Sequence, residues 1–309
     1  MTNHIELSAG TIEFEDTGGD GSPVVLLGGL MMDASLWEGV IAELSDDHRY
    51  IAPTLPLGAH RLPMRDAADL SLRGVARLVE EFLERLQLTD VTLVGNDTGG
   101  AIVQLLAADG YPRVSQIVLV SCDAFDNFPP GLTGKTLALT GKLPPRLFGL
   151  FMHQMRLRPL RRLPISFGWL TKRGDGVVRG WLRPVLKQQQ IRRDTVRLLR
   201  SVAAQKDLLR EAAEALPTFG RPALVVWADE DRVMPPEHGR RLADLLPQGR
   251  FVEVADSYTL IPLDQPAALA EVMRDFIATA TPHRVDRYPH SPSDLSRYSA
   301  CTFPASGHA

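Results

Sequence analysis

A chain of 309 residues with 44% hydrophobic side chains is long enough to bury a large core, which excludes a disordered or fibrous polymer. Its formal net charge of −3 offers no overall basic excess with which to hold a phosphate backbone, so nucleic acid is not an expected partner and a small-molecule substrate fits better.

The start, Met1-Thr-Asn-His-Ile-Glu, has neither a cationic segment nor an apolar run, and the most apolar stretch, 23–32, is too short to span a bilayer. The expectation is a cytoplasmic protein with no membrane partner. Cys122 follows an apolar strand and Cys301 lies in a polar tail, so no structural disulfide is expected.

Taken in order, Ile5-Glu6-Leu7 and Thr11-Ile12-Glu13-Phe14-Glu15 alternate around Ala9-Gly10, which predicts two antiparallel strands. The run 24–27 is continuously apolar and ends in glycines, as a strand buried on both faces does. Ser35 then reads as a helix cap, followed by Trp37, Val40, Ile41 and Leu44 at helical spacing. A strand is expected at 50–53, and Leu72, Val75, Leu78, Val79, Phe82, Leu83 and Leu86 mark an amphipathic helix whose apolar stripe is core. The strand 91–94 runs straight into Gly95, and 101–108 is helical. Strands at 116–120, 223–227 and 251–254 follow, with a closing helix over 265–277.

Strands alternating with helices predict an α/β fold, a mainly parallel twisted sheet with helices on both faces and working groups on loops at the strands' C-terminal ends. The alternation breaks once. Residues 123–216 lack buried strands and carry helical pieces near 147–155 and 195–209, which predicts a helical lid inserted into a core made of 1–122 and 217–280. Its arginines, such as Arg156, Arg158, Arg161 and Arg162, read as a solvated face. Residues 281–309, rich in Pro, Ser, His and Arg, read as a disordered tail.

Gly95-Asn96-Asp97-Thr98-Gly99-Gly100 stands between a buried strand and a helix. Small residues two before and two after a central side chain suit a strained turn that presents that side chain as a nucleophile. No Gly-x-Ser-x-Gly occurs, so a serine esterase has no nucleophile here. A carboxylate in that turn attacks sp3 carbon and leaves an alkyl-enzyme ester that water must cleave, which points to epoxides or alkyl halides before amides or ordinary esters.

With this elbow, residues 11–280 resemble the α/β-hydrolase superfamily, and within it the aspartate-nucleophile branch of haloalkane dehalogenases and epoxide hydrolases. The resemblance makes Asp97 the nucleophile and, through Trp227-Ala-Asp-Glu-Asp231-Arg-Val-Met-Pro235, makes Asp231 the acid that orients the base. Gly28-Gly29-Leu30 is similar to the family's oxyanion segment, so the N–H groups of Leu30 and Thr98 are the implied oxyanion donors. The family's catalytic histidine falls at Thr259 in Asp256-Ser257-Tyr258-Thr259, and threonine is no general base near neutral pH. Leu30 and Thr98 also stand where dehalogenases carry halide-holding side chains, and all five tyrosines lie outside the lid that bears the ring-opening tyrosines of epoxide hydrolases.

His60, after a strand end, is the candidate surrogate base. His153 in the lid is a second candidate, and His238 reads as a first-turn surface residue. Without a His-x-x-x-His pair, a cysteine pair or a Gly-x-Gly-x-x-Gly segment, neither a metal nor a cofactor is expected. Three functions stay open at this point: a hydrolase acting on a small, mostly apolar metabolite, a non-hydrolytic lyase, cyclase or isomerase using Asp97 as acid/base, and a catalytically silent ligand-binding protein. Oligomeric state is open as well.

Overall fold

The computed structural model describes residues 2–44 and 48–280. The tail from 281 onward, with Cys301, Tyr288 and Tyr298, lies outside the described residues. β1 (Thr2–Leu7) and β2 (Gly10–Asp16) form the antiparallel pair that their alternation demands, with Leu7 opposite Gly10. β3 (Ser22–Leu27) follows, and its apolar end is buried as a strand covered on both faces must be.

Helix α1 (Glu38–Glu43) is preceded by a 3₁₀ turn over Ala34–Trp37. The cap of that turn is Asp33, not Ser35: the Asp33 carboxylate accepts the Ser35 N–H at 3.0 Å. Next come β4 (His48–Thr54) and α2 (Leu72–Arg85), which buries Leu72, Val75, Leu78, Val79, Phe82 and Leu83. Each such side chain removed from water is worth about 1.5–3 kcal/mol, so this one face fixes the helix to the sheet. β5 (Val91–Asp97) passes without a break into α3 (Thr98–Ala108), and β6 (Val114–Cys122) lies beside β5.

Between β6 and β7 (Ala223–Ala228) the chain forms helices and turns only: α4 (Gly131–Thr140), α5 (Pro145–His153), α6 (Arg158–Arg161), α7 (Asp175–Trp181), α8 (Arg183–Lys187), α9 (Gln189–Ala204) and α10 (Leu208–Ala215). The helix expected over 195–209 is two, because Gln205 leaves helical geometry at φ −108° and ψ 52°. Arg161 is also not part of a solvated face. It is buried, with its guanidinium on the Asp175 carboxylate and on the carbonyls of Met155 and Arg156. α11 (Pro236–Leu245), β8 (Gly249–Val254), α12 (Ile261–Asp264) and α13 (Pro266–Ala280) complete the chain.

The sheet order is β1-β2-β4-β3-β5-β6-β7-β8, parallel from β4 through β8. α1 packs with α13, and α2 packs with α3, which also meets α10. From β3 the chain moves outward to β4, then returns to place β5 on the other side of β3, with Leu27 opposite Gly95. The C-terminal ends of β3 and β5 are therefore the point where the winding direction reverses, the crevice where open α/β sheets take ligands.

Candidate functional site

Asp97 sits at that reversal, in the turn between β5 and α3, at φ 54° and ψ −127°. A non-glycine residue held there carries about 1–3 kcal/mol of strain and persists only where its surroundings fix it. They do so by close approach. A Cβ on Gly95 would stand 2.4 Å from the Gly99 carbonyl oxygen, and one on Gly29 would stand 2.2 Å from Asp97 Oδ1. Larger residues at either place would push the turn or the carboxylate out of position.

The Asp97 carboxylate is fixed through one of its oxygens. Oδ1 accepts the Thr98 N–H at 2.7 Å, the Leu30 N–H at 3.1 Å and the Thr98 hydroxyl at 3.0 Å. The two backbone donors implied for an oxyanion thus converge on one point, which Asp97 itself occupies. Asp97 lines a cavity of about 70 Å³ roofed by the helical insert, with Leu30, Leu137, Met152, Phe167 and Val233 among its apolar walls. The few polar groups on those walls are Thr98, Thr133, Thr136 and Ser166. Burial pushes the Asp97 carboxyl up, and the N–H donors from Thr98 and Leu30 and the Thr98 hydroxyl only partly oppose it.

A second carboxyl, Asp123, lies just past the C-terminal end of β6 and is fully buried. The Thr98 hydroxyl oxygen is 2.9 Å from Asp123 Oδ2 as well as 3.0 Å from Asp97 Oδ1. One hydroxyl hydrogen cannot serve both. The set closes when Asp123 is protonated and donates to Thr98 Oγ1, which then donates to Asp97. Burial, then the Asp97 charge, hold Asp123 well above the usual carboxylate range, so the proton belongs there. In the sequence Asp123 falls at the first residue of the insert, which gives it no role at the elbow. Its place directly after a strand end was the available signal.

Asp231 and Thr259 are brought together. Asp231 Oδ1 accepts the Thr259 hydroxyl at 2.8 Å and the N–H groups of Val233 and Met234 at 2.9 and 2.8 Å. Burial raises the Asp231 carboxyl to about 6 against these donors. Thr259 is itself fully buried, and its carbonyl accepts from Asn96 Nδ2 at 2.9 Å, which ties the loop after β8 to the elbow.

The candidate histidines of the described residues stand elsewhere. His60 does not line the cavity: its buried ring has Nε2 3.4 Å from Asp194 Oδ2 and Nδ1 3.4 Å from the Gly58 N–H. It joins the loop after β4 to α9, and its ring contacts are with Gly58 and Asp194, not with Asp97. His153 is exposed, with Nδ1 2.8 Å from the Gly149 carbonyl. His238 is half-buried edge-on to Phe125, not a plain surface residue. Among the described residues no cluster of three His, Cys, Asp or Glu side chains could hold a metal.

The model of the alpha/beta hydrolase family matches residues 24–272, and the chain belongs to that family. It is 26% identical to an uncharacterized hydrolase, YugF, of Bacillus subtilis, over 82% of this chain and 89% of that one. It is also 26% identical to haloalkane dehalogenase 2 of Mycobacterium tuberculosis, over 85% of this chain and 90% of the relative. The crystal structure of haloalkane dehalogenase DbeA from Bradyrhizobium elkani superposes with a TM-score of 0.73 at 18% identity, over 91% of this chain and 98% of that one, a likeness of fold.

Proposed function

We propose that this chain is an enzyme of the α/β-hydrolase family that acts on a small, mostly apolar substrate through the Asp97 carboxylate, with nucleophilic attack on sp3 carbon as its first step. The observation that carries this reading is the division of labour between the two oxygens of Asp97. Oδ1 takes the hydrogen bonds from Leu30 and Thr98, and Oδ2 accepts none among the described residues. An oxygen without donors in an apolar cavity is poorly solvated and correspondingly nucleophilic. As Oδ2 forms a bond to the substrate carbon, the carbon–halogen or carbon–oxygen bond breaks and its electron pair leaves on halide or on the opened ring oxygen, which takes a proton from water. The alkyl ester so formed keeps its carbonyl oxygen, Oδ1, in the cradle of N–H groups. Water adding to Cγ would place its oxyanion there.

That second step needs a base to take the proton of the water. Thr259 stands at the position of the family's histidine, with its hydroxyl committed to Asp231, so the ester is expected to outlive the attack that made it. The dehalogenase relative supports carbon–halogen chemistry as a class. The natural substrate is left to the apolar, methionine- and leucine-lined cavity to select.

The relay from Asp123 through Thr98 to Asp97 favours a second reading, in which Asp97 moves a proton and no covalent intermediate forms, as in a lyase, cyclase or isomerase. Intact-mass analysis after incubation with a panel of alkyl halides, epoxides and activated esters, beside an Asp97→Ala control, separates the readings. The nucleophilic reading expects a mass gain that maps to Asp97 and is missing from the control. Turnover without any adduct, lost in Asp97→Ala, would replace it with acid/base chemistry. Saturable binding with neither adduct nor turnover would leave a silent binding protein.

A further inference from the structure

All the large hydrophobic side chains that stay exposed among the described residues lie between 132 and 165, on the helical insert. Leu132 and Leu139 share one face of α4, Leu147 and Leu150 one face of α5, and Leu157, Leu163 and Ile165 follow, with exposures from 39% at Leu163 to 67% at Leu150. These are not scattered residues. The Thr133 hydroxyl donates to the Pro164 carbonyl at 2.8 Å, and Ser166 Oγ lies 3.1 Å from Met155 Sδ, so α4, the 3₁₀ turn Gln154–Arg156 directly after α5 and the 157–166 segment are stitched into one surface. Isolated exposed leucines are ordinary, whereas a gathered set of this kind marks a contact surface.

The charge on the same segment is one-sided. From 127 to 174 there are nine lysines and arginines and no aspartate or glutamate, while the rest of the chain has 25 Lys or Arg against 37 Asp or Glu. Part of that charge is spent internally: Arg161 and Arg158 meet Asp175, and Lys172 and Arg173 meet Asp256. Lys135, Lys142, Arg146 and Arg156 are exposed and make no ion pair among the described residues, and they are interleaved with the exposed leucines. Apolar side chains to enter the acyl boundary, with cations beside them at headgroup level, are the composition of a surface-lying membrane contact. A cationic cap on an acidic body also orients the molecule, because an anionic surface attracts the cap and repels the rest.

We propose that the outer face of the helical insert docks on an anionic lipid bilayer, with the mouth of the Asp97 cavity turned toward the lipid. Ile165 supplies the link between surface and cavity, since it is exposed and also lines the cavity, together with Thr133, Leu137 and Met155 from the same stitched segments. An apolar substrate dissolved in the membrane would then reach Asp97 without crossing water. The expectation of no membrane partner concerns a spanning segment. Among the described residues no helix is long and apolar enough to cross a membrane, and surface docking needs none. Docking does not depend on which chemistry Asp97 performs.

The test is flotation of the full chain with vesicles of phosphatidylcholine alone or containing about one third phosphatidylglycerol, at low and at near-molar salt. Binding is expected to the anionic vesicles at low salt, at least about tenfold weaker to phosphatidylcholine alone, and lost at high salt. The double variants Leu150→Asp/Leu157→Asp and Arg146→Glu/Arg156→Glu change exposed side chains, and each is expected to lower binding about tenfold or more with the circular-dichroism melting curve unchanged. The proposal is overturned if the chain ignores anionic vesicles at low salt or if both variants bind like the parent. It is also overturned if the parent is a dimer that the same variants dissociate and no vesicle is bound, which would make the face a contact between two copies.

Discussion

Under the proposed chemistry, Thr259 sets how far a reaction at Asp97 can go. Its hydroxyl is donated to Asp231, an acid that pairs with no imidazole among the described residues, and its side chain is fully buried. Replacing it with histidine would put a titratable ring beside a carboxylate already lifted to about 6, a pairing that favours the protonated ring and so suits a base that must take a proton from water. The ring is larger than the side chain it replaces, and overpacking is expected to cost about 1–3 kcal/mol. If alkyl halide or epoxide leaves a stable ester on Asp97, Thr259→His should discharge it, turning a single stoichiometric adduct into measurable turnover. Adduct half-life by intact mass, with folding checked by near-ultraviolet circular dichroism, gives the answer. A folded Thr259→His chain whose adduct lasts as long as the parent's would show that the missing ring is not what stops hydrolysis.

At the scale of elements, the sheet and its helices could be read from local pattern because each strand and helix declares itself within a few residues. The apolar run ending at Leu27, the stripe along α2 and the glycines around Asp97 each carry their own signal. Contacts between distant elements carry none. Thr98 and Asp123 meet only because β6 lies beside β5 with Cys122 opposite Asp97. His60 and Asp194, 134 residues apart, meet because α9 folds down on the loop after β4. That second contact is more than a pair: Asp194 Oδ2 also accepts the Met64 N–H at 2.9 Å, and Oδ1 is 3.4 Å from Arg197. Asp194→Ala would leave a buried N–H and a buried imidazole without their acceptor, at an expected cost of about 1–3 kcal/mol in urea unfolding. Asp194→Asn keeps an acceptor and should recover a large part of it. Equal stability of all three chains would mean that the Asp194 contacts add nothing to the hold of the insert on the core.

Over the whole molecule, carboxyls fall into two groups with opposite effects on stability. Asp16, which burial pushes up but Arg49 and Gly18 together hold down, and Asp175, held down by Arg161, stabilise the fold above pH 3.8, and that contribution is lost as pH falls below it. Asp97, Asp123 and Asp231, gathered at the C-terminal end of the sheet around the buried Cys122, are raised by burial. For Asp231 the folded chain keeps, up to about 6, a proton that the unfolded chain releases near 3.8. Its stabilisation is therefore full below pH 3.8, falls as pH rises toward about 6 and is gone above it. The size is on the order of 2–3 kcal/mol for a shift of this extent. His238, lowered by burial, works the other way, since the unfolded ring takes up a proton below about 6.5 that the folded one resists. The two partly cancel in the parent, so the informative quantity is the difference between parent and Asp231→Asn. Denaturant unfolding from pH 4 to 7 should give a variant that is relatively less stable at the acid end and gains on the parent by roughly that amount before the difference levels off near pH 6. A difference independent of pH would mean that Asp231 is ionised throughout, and with it would go the picture of carboxyls held protonated by burial at this end of the sheet.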